Sequence, residues 1–147
     1  MHAKLRAILE EKGYQVHSVA PTATVVEAVD LMNNAGVGAL LVKDGEAVVG
    51  IVSERDILRR VIGARRDPQT VLISDVMTRE VATVKPDLDL EEAMGVVTER
   101  RVRHLPVMVD GKVVGMVSSG DLTRWAVHDR EFHIQQLVAY ITGNYPT

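Results

Sequence analysis

The sequence predicts an α/β fold built from two copies of one β-α-β-β-α unit. The clearest observation is a duplication. The stretch Gly50–Asp56 (Gly-Ile-Val-Ser-Glu-Arg-Asp) returns as Gly115–Asp121 (Gly-Met-Val-Ser-Ser-Gly-Asp), displaced by 115 − 50 = 65 residues. In both copies two short apolar runs flank an Asp-Gly turn signal, a pattern typical of a β-hairpin. Apolar residues at helical spacing precede each hairpin and follow it. These observations indicate two halves of one pattern.

The composition favours a protein with an aliphatic core. Hydrophobic residues make up 46% of the 147 residues but aromatic residues only 3%, so a bound ring would be held by aliphatic side chains. The net charge of −3 gives no electrostatic footprint for nucleic acid, which leaves nucleic-acid binding as a minor alternative. The lack of cysteine excludes disulfides, thiolate catalysis and zinc sites built on sulfur. With no signal peptide or membrane span in the sequence, we expect a cytoplasmic protein.

The first 63 residues predict an N-terminal helix followed by the first repeat. Leu5, Ile8 and Leu9 recur at helical spacing before Gly13, which predicts an amphipathic helix over 1–13. A capping box at 24–27 then opens a helix over about 24–35. Two strands, over 39–42 and 47–52, meet at a turn over 44–45. The next helix begins at Ser53 and is predicted to carry four apolar residues on one face: Ile57, Leu58, Val61 and Ile62.

A polar, proline-containing linker is predicted over 64–78, with a short helical turn at 74–77. The second repeat covers 79–128 and repeats the apolar positions of the first repeat, except that Asp110-Gly111 lies one residue later than Asp44-Gly45. A compensating change in the loop is expected to restore the offset by Val114-Gly115. A C-terminal helix is predicted over 129–147, with an apolar face that would pack on the N-terminal helix or on another subunit: Phe132, Ile134, Leu137, Val138 and Ile141.

The duplicated Ser-x-x-Asp is the strongest candidate for a binding site. Ser at an N-cap with an acid three residues later is also a capping device worth about 1 kcal/mol, so capping alone is the first alternative. Its recurrence at Ser53/Asp56 and Ser118/Asp121 favours a binding role, which is compatible with capping. An ionised carboxylate offers two acceptor oxygens that match the two hydroxyls of a ribose cis-diol.

The start of the second strand differs between the repeats. Arg103 and His104 can donate to a phosphate, whereas Gly38 and Ala39 let a ligand approach the backbone closely. The alternative is that the arginines form a solvated edge. A metal site is not expected, because His128 and His133 are five residues apart rather than four.

The two repeats resemble a tandem pair of cystathionine-β-synthase (CBS) domains, a Bateman module, over about residues 14–128. Asp75-Val76-Met77-Thr78 resembles the usual lead-in to a second CBS motif, and the segment from Glu131 to Pro146 resembles the tail of small stand-alone CBS pairs that act in signal transduction. The resemblance implies two three-stranded sheets flanked by helices and related by a pseudo-two-fold axis. Clefts between the sheets would bind adenosine nucleotides: AMP, ADP, ATP or NAD(H).

In this family the sites are crossed between the repeats, and the resemblance implies two sets of binding residues. One set is Ser53, Asp56, Ala82, Thr83, Arg103, His104 and Pro106. The other set is Ser118, Asp121, Val16, His17, Ser18, Gly38, Ala39 and Leu41. The aspartates would hold ribose, the serines the ribose-phosphate linkage, and Arg103 with His104 the phosphate. Ala39 stands where the second repeat has His104, so the two sites need not take the same ligand.

The resemblance also implies a homodimer of stacked CBS pairs. With no effector domain in the sequence, the output would pass through a protein partner or through the dimer itself. We expect a non-catalytic sensor of adenosine nucleotides. The alternatives are a structural dimerisation or adaptor module with empty clefts, and an enzyme such as a nucleotide hydrolase, which the lack of a nucleophile-base pair makes the weaker prediction.

Overall fold

A computed structural model describes residues 3–143, and for residues 129–133, 135, 136 and 140 it describes the backbone alone. The chain divides into two compact units. Residues 15–82 form one unit, which contains the first repeat, and residues 3–14 with 83–143 form the other, which contains the second repeat. None of the helices between residues 3 and 143 has the length and apolar composition of a membrane span.

The repeat-one unit is built on a three-stranded sheet in the order β1-β2-β3. Strand β1 (Ser18–Val19) pairs in parallel with β2 (Ala39–Asp44), and β2 pairs antiparallel with β3 (Ala47–Ser53). Helix α2 (Val25–Ala35) lies between β1 and β2 in the chain. Apolar residues of α2, of the sheet and of the segment 61–77 form one buried core: Val25, Ala28, Met32, Leu40, Val42, Val52, Val61, Val71, Ile73, Val76 and Met77.

The predicted capping box at the start of α2 is confirmed. The backbone N–H of Glu27 donates to Thr24 Oγ1 over 3.3 Å, and the backbone N–H of Thr24 donates to Glu27 Oε2 over 3.1 Å. These bonds satisfy two backbone donors that a helix start otherwise leaves without partners. At the other end Gly36 takes a left-handed conformation and ends the helix.

The segment after β3 differs from the predicted single helix. Helix α3 (Glu54–Ile57) is one turn long and continues as a π-helical turn over Leu58–Ile62. Within this segment Val61 is buried and Ile57 half-buried, while Leu58 and Ile62 are exposed. The four apolar residues predicted to lie on one face therefore do not share one environment. A 3₁₀ turn over Ile73–Asp75 follows, one residue before the predicted one.

The repeat-two unit contains the matching elements. Helix α4 (Leu90–Arg100) precedes a hairpin of β4 (His104–Val109) and β5 (Lys112–Ser118). The third strand that the resemblance implies is reduced here to a single parallel bridge between Val84 and Val107. Each strand of this hairpin begins and ends 65 residues after its counterpart, so no compensating change in the loop exists, contrary to the sequence-based expectation. Asp110 and Gly111 both have positive φ and occupy the turn positions of Gly45 and Glu46.

Helix α1 (Leu5–Lys12) belongs to the repeat-two unit. Its first turn is held by backbone hydrogen bonds from Leu5 N to Leu88 O (3.0 Å) and from Arg6 N to Pro86 O (2.9 Å). Lys4 Nζ lies 2.6 Å from Asp89 Oδ1. Because Leu5, Ile8 and Leu9 are buried, the helix is part of the core of this unit and not a mobile extension of it.

A long helix, α5 (Ser119–Thr142), closes the described part of the chain. The sequence predicted two helices, one after Ser118 and one over 129–147, and the structure joins them into one. Of the predicted apolar face, Ile134, Leu137, Val138 and Ile141 are exposed, so this part of the face does not pack on α1. The side chain of Phe132 and the residues beyond 143 lie outside the described residues.

Candidate functional site

In the repeat-one unit, Ser53 and Asp56 form a reciprocal hydrogen-bonded pair at the start of α3. Asp56 Oδ2 accepts from Ser53 N (2.9 Å) and Ser53 Oγ (3.1 Å), and Asp56 N donates to Ser53 Oγ (3.2 Å). The other carboxylate oxygen, Oδ1, accepts from Thr78 Oγ1 over 3.3 Å and lies 3.9 Å from Arg60 Nη1. The Asp56 side chain is 13% exposed, so it does not extend into bulk solvent.

In the repeat-two unit, Ser118 and Asp121 reproduce this arrangement at the start of α5. Asp121 Oδ2 accepts from Ser118 N (2.8 Å), and Asp121 N donates to Ser118 Oγ (3.1 Å). Asp121 Oδ1 lies 3.8 Å from Arg124 Nη1, which is too far for a hydrogen bond. This oxygen therefore keeps acceptor capacity for a hydroxyl of a ligand.

The carboxylate of Asp121 has a second charged partner that the sequence did not suggest. Lys12 Nζ donates to Asp121 Oδ2 over 2.7 Å and to Met116 O over 2.8 Å. Burial raises the pKa of Asp121, but the hydrogen bonds from Lys12 and Ser118 and the positive charge of Lys12 outweigh it, so the pKa lies below its ordinary value of 3.8. Asp121 is therefore ionised at neutral pH.

The strand residues predicted for one site lie together within the repeat-one unit. His17 O accepts from Leu41 N over 3.1 Å, and Ser18 pairs with Leu41 in the sheet. Gly38 O accepts from Glu54 N over 3.0 Å, and Ala39 pairs with Ser53. Val16 precedes this group and is half-buried. These residues thus lie at the end of the sheet where β3 leads into α3, and their assignment to Asp121 of the other unit stays a prediction.

The corresponding residues of the second repeat are arranged in the same way. Val84 N donates to Pro106 O over 3.0 Å, directly after Thr83. Ser119 N donates to Arg103 O over 2.7 Å, and His104 pairs with Ser118. The Arg103 side chain is exposed. Exposure is expected both of a residue that binds phosphate and of a residue at a solvated edge, so it does not distinguish the two predictions. Ala82 ends the other unit, and its assignment with the rest of this set to Asp56 stays a prediction.

Sequence reasoning missed two residues that contact the carboxylates, Lys12 and Thr78. Thr78 precedes the second repeat in the chain but contacts the Gly-x-Val-Ser-x-x-Asp stretch of the first repeat. Lys12 precedes the first repeat but contacts the same stretch of the second repeat. Thr78 N donates to Ile51 O over 2.8 Å, and Lys12 Nζ donates to Met116 O over 2.8 Å. Ile51 and Met116 are equivalent positions of the two repeats. The lead-in resemblance of 75–78 could have drawn attention to Thr78, but no signal in the sequence indicated Lys12.

Among the residues that the structure describes, no group of three or more His, Cys, Asp or Glu residues is arranged to hold a metal ion. Each of the two units therefore contains its own candidate site, a carboxylate at the start of a helix that is fixed by the serine three residues before it. A family model of the CBS domain matches residues 12–63 and again residues 73–128. The chain belongs to the CBS domain family.

Known CBS proteins resemble the chain over most of its length. A mitochondrial CBS domain-containing protein of Arabidopsis thaliana, CBSX3, is 43% identical over 127 residues, which are 83% of this chain. The matched region spans 62% of the length of that plant protein. Among solved structures, a protein with CBS domains from Burkholderia ambifaria has a TM-score of 0.83 and 37% identity, covering 86% of this chain and 96% of the other.

A second structural relative is an oligomer. The hexameric CBS-CP12 protein of bloom-forming cyanobacteria has a TM-score of 0.76 and 28% identity, covering 84% of this chain and 71% of the other. The predicted fold, two small sheets flanked by helices in a tandem CBS pair, is therefore confirmed. A CBS pair is a module of the regulatory or signal-transduction class.

Proposed function

We propose that this CBS pair is a non-catalytic sensor that binds adenosine nucleotides (AMP, ADP, ATP or NAD(H)) through its two Ser-x-x-Asp carboxylates. The observation that carries the proposal is the repeated geometry of Asp56 and Asp121. Both are fixed by a serine at the start of a helix, and both are nearly buried. A fixed carboxylate of this kind can accept a hydrogen bond from a ribose hydroxyl through its Oδ1 with little loss of side-chain entropy.

The free acceptor capacity supports the same role. Asp121 Oδ1 lies 3.8 Å from Arg124 Nη1, beyond hydrogen-bond distance, and Asp56 Oδ1 accepts a long bond of 3.3 Å from a hydroxyl. A carboxylate that served for capping alone would need one oxygen, and in both repeats Oδ2 meets that need. The second oxygen of each is available for a sugar hydroxyl. The strand residues assigned to each carboxylate from the resemblance remain part of the proposal.

Two measurements test the sensor role. Mass spectrometry of the folded protein after purification identifies any copurifying small molecule, and we expect an adenosine nucleotide. Calorimetry with AMP, ADP, ATP, NAD⁺ and NADH on ligand-free protein then ranks the candidates. Absence of binding heat with every one of them, at two temperatures and on protein shown to be folded, would refute the sensor role.

The output of the sensor would pass through self-association or through a protein partner. Exposed apolar side chains lie along α5, and a homodimer that covers them would remove apolar area from water: Val127, Ile134, Leu137, Val138 and Ile141. The same observation favours a second candidate function, a dimerisation or adaptor module that binds no ligand. That alternative predicts a dimer whose thermal stability does not change on addition of nucleotide, either in the wild type or in variants that lack Asp56 and Asp121.

A further inference from the structure

Asp56 and Asp121 each accept a hydrogen bond from a side chain outside the duplicated stretch, and the two donors differ in charge. Asp56 receives the neutral hydroxyl of Thr78 at 3.3 Å, whereas Asp121 receives the ammonium of Lys12 at 2.7 Å. A guanidinium lies at a similar distance from each, Arg60 at 3.9 Å from Asp56 and Arg124 at 3.8 Å from Asp121. The cluster around Asp121 therefore carries one more positive charge than the cluster around Asp56.

The ammonium of Lys12 replaces two separate donors of the first repeat. In the first repeat, Thr78 N donates to Ile51 O, and Thr78 Oγ1 donates to the aspartate. In the second repeat, Lys12 Nζ alone donates to Met116 O and to the aspartate. An ammonium has three donors, so these two bonds leave a third. Because the Lys12 side chain is 39% exposed, that donor is accessible to a ligand.

The position of Lys12 is fixed by the packing of α1 rather than by the side chain alone. Leu9, one turn earlier, is fully buried against Gly115, and the first turn of α1 is anchored to residues 86–90 by backbone hydrogen bonds. Helix α1 is thereby held in a position where Lys12, its last residue, reaches the carboxylate of Asp121. A cation held in this way loses less conformational entropy on binding an anion than a free surface lysine would.

On the basis of the proposed function, we propose that Lys12 is a ligand-binding residue of the Asp121 site, where it donates to the phosphate of a ribose phosphate. The residues assigned to this site from the sequence include one histidine, His17, but no lysine or arginine. Lys12 supplies an ammonium. The Asp121 site thereby discriminates a nucleotide from its nucleoside, and it does so with a residue outside the sequence motif of the repeats.

The test compares AMP with adenosine by calorimetry at neutral pH and low salt, on full-length protein. Asp56→Asn isolates the Asp121 site, and the same comparison is made in parallel with Asp56 intact. Adding Lys12→Met is expected to lower the ratio of AMP affinity to adenosine affinity at least about tenfold, the usual scale of a lost charged hydrogen bond. Lys12→Arg keeps the charge and is expected to restore part of the ratio.

Lys4→Met is the matched control, since it also removes a lysine charge from the α1 region, but at the ion pair with Asp89. It is expected to leave the ratio within about twofold of its starting value. Thermal melting shows that each variant is folded. Failure of the parent protein to bind either compound would overturn the proposed function. Binding of both compounds with an unchanged ratio in Lys12→Met, or tighter AMP binding in that variant, would overturn the role of Lys12 alone.

Discussion

The side chain of Leu9 occupies the space next to Gly115 that a larger residue would need. A Cβ built on Gly115 would lie 2.7 Å from Leu9 Cδ2, closer than Cβ atoms are found to approach other atoms. A Cβ built on Gly50, the equivalent glycine of the first repeat, would lie 2.7 Å from Met77 Sδ and 2.9 Å from the backbone oxygen of Thr78. The glycine that opens each copy of the duplicated stretch is thus required by packing within its own unit.

Replacing these glycines by alanine is expected to destabilise the protein unequally. Gly50→Ala forces the backbone at Thr78 to move and should lower the free energy of unfolding by about 2 kcal/mol or more, within the range for overpacked cores. Gly115→Ala is expected to cost about 1 kcal/mol, because only the end of a leucine side chain must shift. Chemical denaturation measures both.

Gly95→Ala serves as the control for these two variants. Gly95 lies inside α4, and a Cβ there would meet nothing within 4 Å. Alanine at this position should therefore raise the free energy of unfolding by roughly 0.5–1 kcal/mol through its helix propensity. Equal effects at positions 50, 95 and 115 would contradict the packing described above.

The capping serines have two roles that can be separated by experiment. Ser53→Ala is expected to lower the free energy of unfolding by about 1 kcal/mol through loss of the helix cap, and also to weaken nucleotide binding. Thr24→Ala removes a capping box of the same type at the start of α2, where no ligand is expected. It should cost a similar amount of stability and leave the affinity for nucleotide unchanged. If both variants bind nucleotide like the wild type, the duplicated serine is a capping residue alone.

The depressed pKa of Asp121 predicts a specific dependence of stability on pH. A carboxylate whose folded-state pKa lies below its unfolded value of 3.8 stabilises the fold above that value, and the contribution is lost as the pH falls through the folded-state pKa. The free energy of unfolding should therefore fall more steeply below about pH 4 in the wild type than in Asp121→Asn. Lys12→Met should reduce the difference. The same dependence of the free energy of unfolding on pH below about pH 4 in the wild type and in Asp121→Asn would contradict the stabilising interaction between Lys12 and Asp121.

Self-association through α5 can be tested at exposed positions without disturbing the core. Ile141, which is 81% exposed, and Leu137 are expected to be buried in a homodimer. We expect the wild type to sediment as a dimer and the variant with both residues changed to glutamate to sediment as a monomer at the same concentration, with little change in the stability of the monomer fold. Leu72→Glu, an exposed apolar position of the other unit, is the control and should remain dimeric. A dimer that survives the double substitution would place the interface elsewhere.

Much of the fold follows from local patterns in the sequence. The capping box at Thr24 and the apolar runs of the two hairpins act over a few residues, so these elements could be predicted from the local sequence. In the first repeat the turn lies at Gly45-Glu46, one residue after the predicted Asp-Gly turn. The π turn at Leu58–Ile62 could not, because helical periodicity assumes 3.6 residues per turn. Nothing in the sequence breaks the helix between Asp121 and Glu131, and α5 accordingly continues where two helices were predicted.

The candidate site was predictable only in part for a similar reason. Ser53, Asp56, Ser118 and Asp121 are detectable because they are duplicated at fixed spacing. The contact between Lys12 and Asp121 joins residues 109 positions apart, and a lysine at the end of an amphipathic helix is ordinarily a solvated residue. Only the docking of α1 brings the ammonium to the carboxylate.

Counting the nucleotides bound per chain is the most direct test of the central claim that each aspartate holds a ribose. Native mass spectrometry of protein saturated with AMP is expected to show two bound nucleotides in the wild type, one in Asp56→Asn or Asp121→Asn, and none in the double variant. Two bound nucleotides in the folded double variant would contradict the claim.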